Sequence, residues 1–88
     1  MQKFSLIYTR TAIKDIKKLD AVVKKKLSQK ILLYVKDPIH YATRLIDSAI
    51  GTYRWRIGNY RIIFDIDEKN NRIVVLKVGH RRDIYNSL

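Results

Sequence analysis

The chain has no cysteine, a single proline and only three glycines in 88 residues. Without thiols there is no disulfide framework, no cysteine-ligated zinc and no thiol nucleophile, and a reducing compartment is allowed. Two lone histidines, His40 and His80, are too few for a histidine-rich metal site. Nothing approaches the roughly 20 consecutive apolar residues that a membrane span requires. The first residues, Met1 to Tyr8, lack the apolar run of a secretory leader. The expected location is the cytoplasm, with no membrane partner. Gly/Ser linkers, repeats and low-complexity tracts are also missing, so residues 1–88 are expected to form one domain. A chain this short buries roughly 60–65% of its unfolded surface. That excludes a multidomain enzyme, a barrel enzyme and a Rossmann domain with a second lobe.

Negative charge is scarce as well. Eight Asp and Glu stand against nineteen Lys and Arg, for a formal net charge of +11. So much charge on a small body attracts polyanions at long range. Nucleic acid is the leading partner, ahead of an anionic surface or an acidic protein.

What is present reads as two halves with different periods. Residues 3–8 alternate at Phe4, Leu6 and Tyr8, which predicts a strand. Thr9 or Thr11 caps a helix carrying Ala12, Ile13, Ile16 and Leu19. Asp20 caps a second helix whose buried stripe is Val23, Leu27, Ile31 and Tyr34. Lys24, Lys25, Lys26 and Lys30 cover its outer surface, where solvated lysines are ordinary. Asp37-Pro38 stops it, because the residue before proline avoids the helical region. Residues 39–52, with His40 among them, have no period and read as a loop. From Tyr53 the period becomes two. Strands are expected at 53–57, 60–66 and 72–78, with Gly58-Asn59 as a two-residue hairpin turn. The fold class is α+β: a strand, a helical hairpin and a three-stranded meander. The helices lie on one face of a four-stranded sheet, and the first strand pairs beside the last.

The tight turn sets a register. Ile57 falls opposite Tyr60, Arg56 opposite Arg61, Trp55 opposite Ile62, Arg54 opposite Ile63 and Tyr53 opposite Phe64. Cross-strand partners share a face. Tyr53, Trp55, Ile57, Tyr60, Ile62, Phe64 and Ile66 therefore form the core side, joined by Val74, Leu76 and Val78. Arg54, Arg56 and Arg61 lie on the other side with Ile63 and Asp65, and Lys77 and Arg81 continue that face. His80, Arg82 and Tyr85 follow the last strand. Like charges directly opposite each other are unfavourable, and Asp65 alone cannot neutralise this face. Guanidinium groups give forked hydrogen bonds to phosphate. A phosphodiester therefore fits the deficit, and His80 beside it suggests proton transfer.

The stretches Tyr-Arg-Trp-Arg-Ile-Gly-Asn-Tyr-Arg-Ile-Ile-Phe (53–64) and Val-Leu-Lys-Val-Gly-His-Arg-Arg-Asp-Ile-Tyr (75–85) resemble the RelE toxins of bacterial toxin–antitoxin modules, within the RelE/ParE superfamily. The resemblance spans nearly the whole chain, and Gly-His-Arg-x-x-x-Tyr is its most specific part. It implies a metal-independent endoribonuclease, without cofactor, that enters the ribosomal A site and cuts mRNA. The 2′-hydroxyl attacks the neighbouring phosphate and leaves a 2′,3′-cyclic phosphate and a 5′-hydroxyl. It also implies an acidic antitoxin that wraps the toxin in a heteromeric complex. Carried over by position, Arg61, His80, Arg81 and Tyr85 are the catalytic candidates, and Arg54, Arg56, Lys77 and Arg82 the RNA-binding ones. RelE has lysines where this chain has Arg54 and Arg56, and arginine cannot serve as a base. The proton acceptor is then His80, Asp65, or a group of the ribosome or the RNA. Arg81 or His80 protonates the leaving oxygen, and Tyr85 stacks on or orients the nucleotide. Two other readings stand beside this one: a ParE-like poison of DNA gyrase, and a non-catalytic RNA-binding module, which would need an exposed Trp55.

Overall fold

The computed structural model describes residues 3–46 and 50–85. In chain order the elements are β1 (Ser5–Tyr8), α1 (Arg10–Lys17), α2 (Ala21–Tyr34), β2 (Ala42–Arg44), β3 (Tyr53–Ile57), β4 (Tyr60–Asp67) and β5 (Arg72–His80). They form one sheet in the order β1-β5-β4-β3-β2. β1 runs parallel to β5, beside the last strand as expected, and the other pairs are antiparallel. No helix of the described residues is long and apolar enough to cross a membrane.

Local chemistry accounts for the helix boundaries. Thr9, not Thr11, is the first cap: its Oγ1 accepts from the Ala12 amide at 3.1 Å. Asp20 occupies the second cap position without a side-chain hydrogen bond. The stripe of α2 faces the sheet as its spacing requires. Leu27 and Ile31 are buried, with Val23 and Tyr34 packed around them. The indole N–H of Trp55 donates to the Pro38 carbonyl at 3.1 Å, tying the end of the helical hairpin to the middle of the sheet.

The β3–β4 hairpin has the expected register, from Ile57 opposite Tyr60 out to Tyr53 opposite Phe64. Gly58 takes φ +57°, a conformation glycine adopts without steric cost. The core under the helices joins Ala12, Leu27 and Ile31 to Trp55, Ile57, Ile62, Phe64, Ile73, Val75 and Val78. Trp55 is fully buried, so the stacking platform required by a non-catalytic RNA-binding module is absent at that position.

Two expectations need correction. The sheet has five strands, not four, because Ala42–Arg44 pairs with Tyr53–Trp55 at the edge. A three-residue strand is too short to show a period of two. The rest of the expected 39–52 loop is described except residues 47–49, which lie outside the described residues. The second correction concerns β5. Val74 and Leu76 do not share the core face with Val78; Ile73 and Val75 do. The register passes from Ile63 opposite Lys77 to Phe64 opposite Val75, so Leu76 is one extra residue, a β-bulge. The segment that follows β1 packs beside it. β1 ends at Tyr8, and beyond Val75 the outer edge of β5 meets side chains instead of a strand. Thr9 Oγ1 donates to the Leu76 carbonyl at 3.0 Å, and the Asp15 carboxylate accepts from the Val78 amide at 3.0 Å. These bonds satisfy backbone groups that a bulge would otherwise leave unpaired.

Candidate active site

The sheet face opposite the helices is partly roofed. The loop before β3 lies over it: the Thr52 amide donates to Asp65 Oδ1 at 2.7 Å. A Cβ on Gly51 would fall 2.5 Å from Ile63 Cγ2 and 2.9 Å from Leu76 Cδ1, so only glycine fits there. This explains why Ile63 is fully buried while facing away from the helices. From the other end, the segment after β5 folds back. Ile84 is 1% exposed and packs on Gly79, where an added Cβ would sit 3.2 Å from Ile84 Cδ1. Ile63, Leu76, Gly51 and Ile84 thus make a second apolar layer, small and separate from the main core.

Between these covers lies a basic cup. Arg61 is its floor. It is the one charged residue among those described that is buried, at 7% exposure. Its Nη1 donates to the Gly58 and Tyr60 carbonyls, each at 3.0 Å. Burial holds its guanidinium below the usual arginine range, and the positive charges of Arg56, Arg54 and Arg81 add to this; Tyr85 opposes them. It remains a cation at any physiological pH. Arg54 and Arg56 project from β3, with Arg56 directly across from Arg61. The Arg54 Nη1 donates to the Tyr85 hydroxyl at 2.7 Å, and its Nε is buried with no hydrogen-bond partner. Among the described residues no carboxylate forms an ion pair with Arg54, Arg56, Arg61 or Arg81; Asp67 pairs with Arg72 at 3.0 Å, outside the cup. Such a site suits an anion that brings its own charge and hydrogen-bond acceptors. Thr43, from the unexpected β2, stands opposite Arg54 and extends the rim.

The sequence-derived candidates separate into three groups. Arg54, Arg56, Arg61, Arg81 and Tyr85 come together. Lys77 faces the same side, opposite Ile63, but lines a recess of about 260 Å³ at the β5 edge with Asp15, Lys18 and Asp83. His80 and Arg82 are directed elsewhere. His80 pairs with Tyr60, and the two rings meet edge to face at 5.5 Å on the helix side of the sheet. Strand parity is the reason: Gly79 faces the cup, so its neighbour cannot. The Arg82 Nε lies 3.4 Å from His80 Nδ1, which draws that side chain toward the histidine. Asp65, the other candidate base, is engaged by Thr52. Sequence reasoning missed Ile84. Its signal was a single apolar residue in the polar run Arg81-Arg82-Asp83, placed just before the tyrosine.

Similarity to known proteins bears on family and fold. Residues 6–85 match the family described as ParE toxin of type II toxin-antitoxin system, parDE. Toxin RelG of Mycobacterium tuberculosis is 31% identical over 87 residues, covering 93% of this chain and 95% of its own. The RelBE2 toxin–antitoxin complex of the same organism contains a chain that superposes with a TM-score of 0.81 at 26% identity, over 90% of this chain and 99% of that one. The isolated RelE toxin of E. coli gives a TM-score of 0.74 at 22% identity, over 88% and 83% of the two chains, a likeness of fold.

Proposed function

Because the chain belongs to the RelE/ParE superfamily of type II toxin–antitoxin toxins, we propose that it is a metal-independent endoribonuclease that cuts mRNA in the ribosomal A site and is held inactive by an acidic antitoxin. One observation carries this reading: the guanidinium groups of Arg54, Arg56, Arg61 and Arg81 gather beside Tyr85, and among the described residues no acid is ion-paired to them. A scissile phosphate fills such a cup.

In the reaction the 2′-oxygen forms a bond to phosphorus while the bond to the 5′-oxygen breaks. The products are a 2′,3′-cyclic phosphate and a 5′-hydroxyl. Charge builds on the non-bridging oxygens, and preorganised cations stabilise it most effectively where water is excluded. Arg61 supplies that charge from the floor and Arg81 from the rim. Arg81 also stabilises the negative charge on the leaving oxygen, which takes its proton from water or from a group of the ribosome. Arg54 and Arg56 clamp neighbouring phosphates, and Tyr85, oriented by Arg54, holds the nucleotide. Lys77 and Arg82 lie outside the cup and serve as outer contacts to RNA. None of the side chains gathered around Arg61 is a ready proton acceptor, since arginine stays charged and the Tyr85 hydroxyl already accepts from Arg54. The 2′-proton therefore passes to a group of the ribosome or of the RNA; the ribosome is the partner this reading assigns, and the cytoplasm the place of action. The acidic antitoxin covers the basic surface in the resting complex.

The test is primer extension on cellular messages after brief induction, comparing the wild type with Arg81→Ala. New 5′ ends in phase with the reading frame are expected for the wild type only. The ParE description of the matching family favours a second reading, a poison of DNA gyrase. An SOS response that precedes any fall in translation would establish that reading instead.

A further inference from the structure

We propose that His80 is a positioning residue: its imidazole caps the turn that places Arg81 and Tyr85 in the cup, and it does not transfer a proton. The inference rests on the nuclease reading above and assigns the histidine a different task within it.

Three consecutive amides converge on His80. The Arg82 N–H donates to its Nδ1 at 3.1 Å, and the Asp83 and Ile84 N–H groups donate to its carbonyl at 2.9 and 3.0 Å. This is the pattern of a helix N-cap, in which a side-chain acceptor takes the amide two residues on while the carbonyl takes the amide four residues on. Histidine fills a role usually held by Asn, Asp, Ser or Thr. The Arg81 amide meanwhile donates to the Asn59 carbonyl at 2.7 Å, so the turn starts from a point fixed to the β3–β4 hairpin.

A single helical turn places residues three and four apart on the same side. Arg81, Ile84 and Tyr85 therefore share one side and Arg82 and Asp83 the other. Ile84 drops onto Gly79, Tyr85 reaches Arg54, and the charge of Arg81 is felt at Arg61. The ring that organises this turn lies across the sheet from the cup, against Tyr60. From there it has no path to the scissile phosphate, yet it governs the placement of both groups that follow it. Accepting the Arg82 amide requires a bare Nδ1, so the neutral ring carries its proton on Nε2.

Asparagine presents an acceptor where Nδ1 stands, whereas glutamine presents one where Nε2 stands, and neither can act as an imidazole acid or base. In a ribosome-programmed cleavage assay with the full chain, His80→Asn is expected to retain activity within about threefold, while His80→Gln and His80→Ala lose roughly 10- to 100-fold through misplacement. Equal loss in His80→Asn and His80→Gln would overturn the proposal and restore a chemical role. Near-normal activity in all three would overturn it as well. Amide exchange at Arg82, Asp83 and Ile84, with the ¹⁵N shifts of the ring, tests the cap independently of any activity. Protection in the wild type and His80→Asn but not in the other two variants, together with an Nε2–H ring, supports the cap even if the wild type cuts no RNA, an outcome that would refute only the nuclease reading. Uniform protection, or a proton on Nδ1, refutes the cap.

Discussion

Replacing Arg56 with glutamine should make the protein more stable and less active. Arg56 stands directly opposite Arg61, and Arg61 is buried with no carboxylate partner among the described residues. For two unit charges about 6 Å apart, on the order of the Cα separation of directly opposed strand residues, Coulomb's law gives about 0.7 kcal/mol of repulsion in a water-like dielectric and about 2.8 kcal/mol at an effective dielectric near 20. The exposed end of Arg56 favours the lower half of that range. A gain of about 1 kcal/mol corresponds to an upward shift of roughly 4–8 °C in Tm for a domain of this size. The assay is urea unfolding of wild type and Arg56→Gln at about 20 mM and about 1 M salt. The gain should shrink at high salt, where the screening length falls to about 3 Å. On the proposed nuclease reading cleavage should fall in the same variant, because the charge that strains the free protein is the one assigned to the phosphate. A destabilised Arg56→Gln with no salt dependence would refute the idea that the cup is built from uncompensated cations.

Other substitutions probe separate parts. Arg81→Ala should lower cleavage about 100- to 1,000-fold, as loss of a preorganised charge does, while urea unfolding changes by less than about 0.5 kcal/mol; a fully toxic, folded Arg81→Ala would remove it from the site. Ile84→Ala should release the C-terminal turn before it affects the main core, so amide exchange at residues 83 and 84 should rise well ahead of global unfolding; parallel changes in the two would place Ile84 in the main core. Tyr85→Phe removes the hydroxyl that accepts from Arg54 but keeps the ring, and a raised KM with unchanged kcat would mark that hydrogen bond as pure binding. The Asp67 carboxyl is held below its ordinary range by hydrogen bonds from Asn70 and Arg72. A lowered folded value means stability present at neutral pH and lost as pH falls below about 4; unfolding of Asp67→Asn should show a smaller loss across that window than the wild type.

The hairpin half of the fold was legible in the sequence because its turn is unambiguous. Gly58-Asn59 admits one register, and that register alone placed Arg54, Arg56 and Arg61 on one face and Trp55 in the core. The stripe of α2 was equally plain. The errors lie where a side chain far away in sequence decides the backbone. Thr9 and Asp15 hold the extra residue in β5, and no local alternation could reveal a bond across sixty positions. Reading Leu76 as core followed from that gap. β2 was invisible for a different reason: it exists only because the long edge of β3 offers it partners. His80 was linked to the arginines by motif proximity, but adjacent positions on a strand point in opposite directions, and the neighbouring glycine already claimed the cup side. Ile84 escaped attention because an isolated apolar residue carries no period.

The extra residue at Leu76 also divides β5 into two parts that answer to different demands. Upstream, Ile73 and Val75 keep time with the hydrophobic interior; downstream, Val78 does so on the opposite beat, and Gly79 and Arg81 are released to the side of the arginine cup. Deleting Leu76 should therefore return a regular ladder, with Val75 and Val78 still inside and Gly79 and Arg81 on their present side, and should remove the carbonyl that accepts from Thr9. The side on which each later residue of β5 stands is thus set by its pairing with β4, and the extra residue is a local accommodation to the segment that follows β1.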